Sequence, residues 1–334
     1  MRQQGKVFCF FFSKKKCLPY SDGPVRWVLT PSVARIVVVA VLAVLVAVAI
    51  PLLLPAYGVF MANMLLMYAV LALGLDVLLG LAGQFAFAHV AFFGLGVYVT
   101  AQLGNRFHLS FPIPLLMGAI LAGLVAILIA LPALRLRQVY LALTTYAFAA
   151  AAQWVFHSWD SVTEGANGLR ISATNLFGWQ IVDDRDAYPL LVAVALAMLL
   201  LRLALERSRL GLRMAAVHES EPVALASGID ARRIKVIAFG VSGVFAGVAG
   251  GMLPLFNSYV HPDTFGLETL VVVLTMVVVG GLGSVWGVLA GVLVMGLLPE
   301  VMRDLQIYRE IVYGALLILS VMFMPRGIAG LLRR

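Results

Sequence analysis

Two ionisable side chains, Asp76 and His89, lie within or beside long apolar runs of this sequence. Such a group is costly to bury unless it is paired, so it usually marks a functional position in a membrane segment. The two residues stand six before and seven after Ala82, the middle of a predicted hairpin, a spacing that would bring them face to face. Three interpretations stay open: a buried pair in a gate, a proton relay, and two solvated side chains at headgroup level.

The sequence signals no other chemistry. It contains no GxxxxGK[ST], HExxH or GxSxG motif, and Cys9 and Cys17 fit neither a CxxC pair nor a zinc site. We therefore expect no metal, no redox cofactor and no enzyme activity in this chain. If ATP drives its function, ATP and Mg²⁺ bind to another subunit.

The composition predicts the kind of element that positions these residues. The chain of 334 residues is 62% hydrophobic and 12% charged, with a mean hydropathy of +1.01, whereas a soluble domain is about 25% charged. The basic residues behind the net charge of +8 occupy short breaks between apolar runs, which argues against nucleic acid as a partner. We expect an all-α, polytopic integral membrane protein with lipid around it.

Apolar runs long enough to cross a bilayer, about 20 residues each, recur along the chain. They are Ile36–Leu54 and residues 58–79, 84–103, 113–131, 139–157, 188–205, 234–255, 268–299 and 311–325. The run 268–299 is too long for one span, and Gly280–Ser284 offers a turn that would make it a tilted or re-entrant hairpin. The estimate is about ten transmembrane or re-entrant helices.

The distribution of charge predicts the orientation, because Lys and Arg are retained on the cytoplasmic side. The basic tail 1–33 and the basic segment 206–233 are predicted to be cytoplasmic, and the acidic loop 158–187 to face outward. Residues 34–334 form the membrane domain, and both termini are cytoplasmic.

Two glycine-rich hairpins, 80–96 and 280–287, occupy corresponding places in the two halves. Paired interrupted segments often line a transport path, although small residues equally serve helix packing. The residues predicted to lie near the path are Gly83, Gln84, His89, Phe92, Phe93, Gly281 and Ser284.

Five stretches in order carry a resemblance to a known family. They are Gly74–Tyr98 with its GQ and AFFGLG elements, Trp159–Leu169 with EGANGL, Glu206–Gly211 with ERSRLG, Ala226–Asp230, and Gly280–Gly287 followed by the ending Pro325–Leu332. From about residue 57 onward the chain resembles permeases of the LivM type, from ATP-binding cassette (ABC) importers of branched-chain amino acids. It departs from their pattern at His218, Pro222 and Asp76, where the family usually has Arg, plain helix and Asn.

The resemblance implies a subunit of the bacterial inner membrane that translocates branched-chain amino acids. Its partners would be a homologous LivH-type permease, two ATPase subunits and an extracytoplasmic binding protein. Other readings stay open: a permease for urea or short-chain amides, an ion-coupled secondary transporter, and a membrane-embedded enzyme.

The resemblance also favours a role for the segment 206–228 in coupling to the ATPase. Leu210, Met214 and Val217 form one apolar stripe, predicted to insert into an ATPase groove. Pro222 should split the segment into two short helices, and Gly228 should cap the second. The residues assigned to coupling are Arg207, Ser208, Leu210, Gly211, Arg213, Met214, Val217, Glu219 and Gly228. An amphipathic helix lying on lipid headgroups is the alternative.

The outward loop has a predicted partner too. Glu164, Asn167 and Gly168 are expected to contact the binding protein, or to form a solvated turn with no partner.

Overall fold

The structure is a computed structural model that describes residues 54–133, 138–172, 174–176, 179–181, 183–301, 309–323 and 327–332. The predicted tail 1–33, the predicted span Ile36–Leu54 up to residue 53, and the last two arginines lie outside the described residues.

The described part of the chain is predominantly helical. Its helices are α1 Ala56–Asp76, α2 His89–Phe107, α3 Pro112–Ala133, α4 Gln138–Ser158, α5 Asp160–Thr163, α6 Asp184–Arg207, α7 Arg209–Glu219, α8 Glu221–Ala226, α9 Ala231–Met252, α10 Leu267–Gly280, α11 Val285–Val301, α12 Arg309–Phe323 and α13 Gly327–Leu332. Short 3-10 turns lie at Gly165–Asn167, Leu253–Leu255 and Pro262–Phe265, and a π-helical turn, Val77–Leu81, continues α1. The all-α prediction is confirmed.

Four of these helices are long and apolar enough to cross a membrane: Ala56–Leu81, Pro112–Ala133, Asp184–Arg207 and Ala231–Leu255. The shorter apolar helices α10 and α11 flank residues 281–284, so the run 268–299 is a hairpin, as predicted. The run 84–103 differs from its prediction, because residues 82–88 are not helical and α2 begins only at His89.

Glycine allows α9 to pack unusually close to α2 and α3. A side chain at Gly250 would overlap the backbone of α2 at Phe93 and Val97, and one at Gly247 would overlap α3 at Ala119 and Ala122. On α3 the small residues face inward, whereas Leu116, Ile120, Leu124 and Leu128 point out. Small residues inside and large apolar ones outside are typical of a helix that meets lipid.

Two short antiparallel ribbons, which the sequence did not predict, stand in the loop regions. Leu169–Arg170 (β1) pairs with Tyr259–Val260 (β4), and Thr174–Leu176 (β2) pairs with Trp179–Ile181 (β3). The first ribbon joins the predicted outer loop to the chain that follows α9.

Candidate functional site

Asp76 is fully buried and joins three elements. Its Oδ2 atom lies 2.6 Å from Nη2 of Arg202 on α6, whose side chain is also fully buried. Its Oδ1 atom accepts a hydrogen bond of 2.7 Å from the backbone N–H of Gly283, in the turn between α10 and α11. Removing one partner of a buried ion pair typically costs about 3–5 kcal/mol. We call Asp76, Arg202, Gly80 and Gly283 the Asp76 junction.

His89 has different partners, so the expected pairing of Asp76 with His89 is wrong. Its Nε2 lies 2.9 Å from the carbonyl oxygen of Leu71, and its Nδ1 lies 2.9 Å from Oγ of Ser242 on α9. Both ionisable side chains are fully buried, which also overturns the alternative of solvated side chains at headgroup level. The spacing around Ala82 did not bring them together, because residues 82–88 form an irregular segment instead of a symmetric hairpin.

The irregular segment 82–88 leads from the π-helical turn to α2. Near its start, Gly83 has a φ of +64°, a conformation that glycine adopts without strain. The backbone N–H of Gln84 donates to Leu78 O over 2.8 Å, and that of Phe87 donates to Thr145 Oγ1 over 3.0 Å. Irregular backbone at membrane depth is tolerated only where protein buries it or a water-filled cavity solvates it. Here protein partners supply those bonds.

The two glycine-rich turns predicted to line a path lie together. A Cβ atom on Gly80 would overlap both the Asp76 carboxylate and the backbone of Gly283. Gly281 has a φ of +114°, and Ser284 Oγ accepts from the N–H of Gly287 at the start of α11. Phe92 and Phe93 are buried against Phe148 and Phe265, so within this chain they fill the interior. Their role beside a path stays a prediction.

The local structure predicted for the segment 206–228 is confirmed. Ser208 caps α7 by accepting from the N–H of Gly211 over 3.1 Å. The segment breaks at Ser220, and Pro222 stands in the first turn of α8. Gly228 ends α8 with a φ of +79°, and the N–H of Ile229 donates back to Ala224 O. These are the bonds of a Schellman C-cap.

The apolar stripe of α7 does not face outward, which corrects its predicted insertion into an ATPase groove. Met214 and Val217 are buried, and Leu210 packs beside them against the protein's own cluster, which includes Leu78 and Phe239. Helical periodicity indicates which face is apolar. In the structure, that face packs against the π-helical turn that continues α1 and against α9. Arg207, Arg213 and Glu219 are exposed.

Other apolar side chains of the segment are exposed. Leu212 on α7 is 43% exposed, and on α8 Val223 and Leu225 are 64% and 55% exposed. Exposed apolar side chains in a segment predicted to lie outside the membrane are candidates for an interaction surface. We call Leu212, Val223 and Leu225 the apolar knobs.

α7 also contacts the π-helical turn and the irregular segment that follows it. His218 Nδ1 lies 3.0 Å from the carbonyl oxygen of Gly80, and a side chain at Gly83 would overlap the His218 ring. The predicted coupling segment therefore contacts the glycine-rich turn directly.

The outer loop folds back onto the chain after α9. Glu164 has a φ of +59°, and Gly168 has a φ of +71°. The Tyr259 hydroxyl donates to Asn167 O, and a side chain at Gly168 would overlap the Tyr259 ring. The side chain of Tyr259 therefore holds the turn that carries the predicted docking residues, while the side chains of Glu164 and Asn167 are exposed.

The comparisons with known proteins agree with this architecture. The family model described as the permease component of branched-chain amino acid transport systems matches residues 57–321. The chain is 30% identical to the LivM permease protein of Escherichia coli K12 over 86% of this chain and 73% of the relative. The chain belongs to this permease family. It is also 28% identical to the LivH permease protein of Salmonella typhimurium, over 79% of this chain and 91% of the relative. No solved structure matches it.

The residue of this permease that sequence reasoning missed is Arg202. It interrupts the apolar run 188–205, and a lone arginine in a spanning helix is a signal of the same kind as Asp76. Pairing the two from the sequence was not feasible, because 126 positions separate them.

No group of three or more His, Cys, Asp or Glu residues able to hold a metal ion occurs in the part of this permease that the structure describes. At the outer loops, the Asp263 carboxylate lies 2.7 Å from His157 Nε2 and 3.1 Å from His261 Nδ1. His261 Nε2 also lies 3.1 Å from the carbonyl oxygen of Ala166. This His157–Asp263–His261 cluster ties α4 and the loop 164–168 to the chain after α9.

The cluster gives a prediction about pH. The hydrogen bond from His157 lowers the pKa of the Asp263 carboxyl below its ordinary value of 3.8. Because the pKa is lowered in the folded state, the charged carboxylate stabilises the cluster above pH 3.8. This stabilisation is lost only as the pH falls below that value. Asp263→Asn is therefore expected to speed amide hydrogen exchange of residues 163–168 several-fold at pH 7, whereas the unmodified permease keeps their protection at pH 5.

The control for that experiment is Asp186→Asn, which removes an exposed carboxylate of α6 outside the cluster. If the amides of residues 163–168 exchange as slowly in Asp263→Asn as in this control, the carboxylate does not hold the loop in place. Exchange rates are compared after correction for the intrinsic pH dependence of the amides.

Proposed function

We propose that this permease is the membrane subunit through which branched-chain amino acids, delivered by an extracytoplasmic binding protein, enter a bacterium across its inner membrane. ATP is hydrolysed by separate ATPase subunits, and a second, LivH-like permease completes the pathway. The observation that supports it is the likeness to the LivM protein over 86% of the chain. We further propose about ten crossings, with both termini in the cytoplasm.

Uptake of labelled leucine, isoleucine, valine, urea and ribose tests the substrate class. Cells that lack this chain are expected to recover uptake of the three branched-chain amino acids, and of neither urea nor ribose, when the chain is restored. Recovery of urea uptake alone would leave the architecture standing and identify an amide importer. Uptake that follows an ion gradient and needs no ATPase would identify a secondary transporter.

We propose that the segment 206–228 docks the ATPase through the apolar knobs and not through the buried stripe of α7. The knobs present uncovered apolar area among exposed basic residues, including Arg209, Arg213 and Arg232. Apolar anchors surrounded by a polar rim are the usual form of a protein interface.

The double substitution Val223→Asp and Leu225→Asp tests this surface. It is expected to reduce co-purification of the ATPase and uptake at least tenfold, because two carboxylates would be desolvated at the interface. Folding should be unaffected, since both side chains are exposed. The measurements are the ATPase-to-permease ratio after affinity purification and the initial rate of uptake.

The matched control exchanges the two side chains, as Val223→Leu and Leu225→Val, and keeps the surface apolar. It should retain the ATPase within about twofold. If the aspartate variant has the same ATPase-to-permease ratio as the unmodified permease, α8 is not part of the docking surface.

The outer loop is proposed to receive the binding protein. The exposed side chains of Glu164 and Asn167 stand on a turn that a hydrogen bond from the Tyr259 hydroxyl to the carbonyl oxygen of Asn167 holds in place. A rigid turn with exposed polar side chains suits docking of a soluble partner, because little order must be gained on binding.

A further inference from the structure

The Asp76 junction is a buried ionic site that links three elements of the fold. Two charges are taken fully out of water, and pairs of this kind are often no more stabilising than apolar residues of similar volume. Their better-attested use is to fix one arrangement of elements against another. The elements fixed here are α1, α6 and the turn 281–284.

The junction is connected to the segment 206–228 by two routes. Along α6, Arg202 Nη1 donates to Glu206 Oε2 over 3.2 Å, and Glu206 immediately precedes the corner at Ser208. From α7, His218 bonds to the carbonyl oxygen of Gly80, one turn beyond Asp76. Movement of α7 relative to α6 would therefore act on both charged residues of the pair.

The backbones of Gly80 and Gly283 are in close contact, with no room for a side chain between them. Any side chain at Gly80 would overlap the Asp76 carboxylate and the backbone N–H of Gly283 that it binds. On the side of α1, the turn 281–284 is therefore bound by a charge-assisted hydrogen bond, at a point where the two backbones are in contact. Such bonds are roughly twice as strong as neutral ones and are directional.

We infer that the Asp76–Arg202 ion pair is the joint that transmits movement of the segment 206–228 to the glycine turn 281–284. The inference rests on the proposed function, since it takes α7 and α8 as the part that the ATPase moves. Asp76 and Arg202 are then positioning residues, which touch no substrate and set the place of the turn between α10 and α11. Nε of Arg202 has no hydrogen-bond partner in the described structure, which leaves the guanidinium a donor for a second arrangement.

The charge-removing double variant Asp76→Asn and Arg202→Gln tests the joint. Each single variant leaves a buried group without its partner, so the two singles are expected to reduce the amount of folded permease. The double variant removes both charges and should restore it. With the ATPase and binding protein reconstituted in vesicles, the double variant is expected to hydrolyse ATP within about twofold of the unmodified complex while leucine uptake per ATP falls at least tenfold.

The ratio of uptake to ATP hydrolysis is what separates a joint from a merely structural pair. A structural pair would lower both rates together through the amount of folded complex. The inference is overturned if the double variant transports with the unmodified ratio.

A second measurement uses the native pair and does not depend on the variants folding. Leu282, which is 46% exposed in the glycine turn, is changed to Cys in a chain with Cys9→Ser and Cys17→Ser, and a spin label is attached. Trapping the ATPase in its ATP-bound state is expected to change the mobility of the label. No change in a complex that hydrolyses ATP overturns the joint while the proposed function survives. Failure of any ATPase to associate overturns the proposed function itself.

Discussion

Replacing Gly250 with alanine is expected to lower the melting temperature of the purified permease, because the added methyl group has no room between α9 and α2. The new methyl group would overlap the carbonyl oxygen of Phe93 and lie 2.8 Å from the N–H of Val97. Both are backbone atoms of α2, so no side chain can rotate away, and α2 and α9 must separate. Overpacking of this kind typically costs about 1–3 kcal/mol, and Gly250→Val should cost more. The measurement is thermal unfolding in detergent, followed by loss of the monodisperse peak.

Gly104→Ala is the matched control in the same pair of helices. Nothing lies within 4 Å of a methyl group added at Gly104 of α2. The gain in helix propensity, up to about 1 kcal/mol, should leave this variant as stable as the unmodified chain or more so. Equal melting temperatures for Gly250→Ala and Gly104→Ala would contradict the close packing of α2 against α9.

Gly211→Ala is expected to reduce uptake at least tenfold while the amount of permease in the membrane stays near normal. Gly211 stands at the corner between α6 and α7, where a methyl group would overlap Leu205 O and lie 2.9 Å from Glu206 O. Both atoms belong to the end of α6, so α7 must tilt away. The tilt moves the apolar knobs away from the place where we propose that they meet the ATPase. Initial uptake rates and quantitative immunoblots of membranes supply the measurement.

The comparison for this variant is Gly314→Ala, a change of the same size on α12 with nothing within 4 Å. It should transport normally. Normal uptake by Gly211→Ala would show that the corner tolerates displacement and that coupling does not depend on the placement of α7.

The positions of the four long apolar helices were predictable because a span needs an uninterrupted apolar run of known length. The corner elements were predictable for a similar reason, since Pro222 and Gly228 act on the backbone within a few residues of themselves. Which elements pack against each apolar helix face was not predictable. Periodicity gave Met214 and Val217 a common face, and only the folded chain places the end of α1 and α9 against it.

The partners of the ionisable groups could not be predicted from the sequence either, because they depend on how distant helices pack. The spacing around Ala82 suggested that Asp76 would meet His89, whereas Arg202 is its partner from far along the chain. Long-range pairing depends on which helices pack side by side, and nearly uniform apolar helices carry little information about that choice. The ribbon between Leu169–Arg170 and Tyr259–Val260 escaped prediction likewise, because each strand is two residues long.

The separation of 126 residues between Asp76 and Arg202 also bears on how the protein is made. A ribosome adds about 5–20 residues per second, so Asp76 is joined to the chain roughly 6–25 s before Arg202 is. During that interval the carboxylate on α1 lacks the guanidinium that pairs with it in the folded protein. The buried ion pair can form only after α6 has been synthesised.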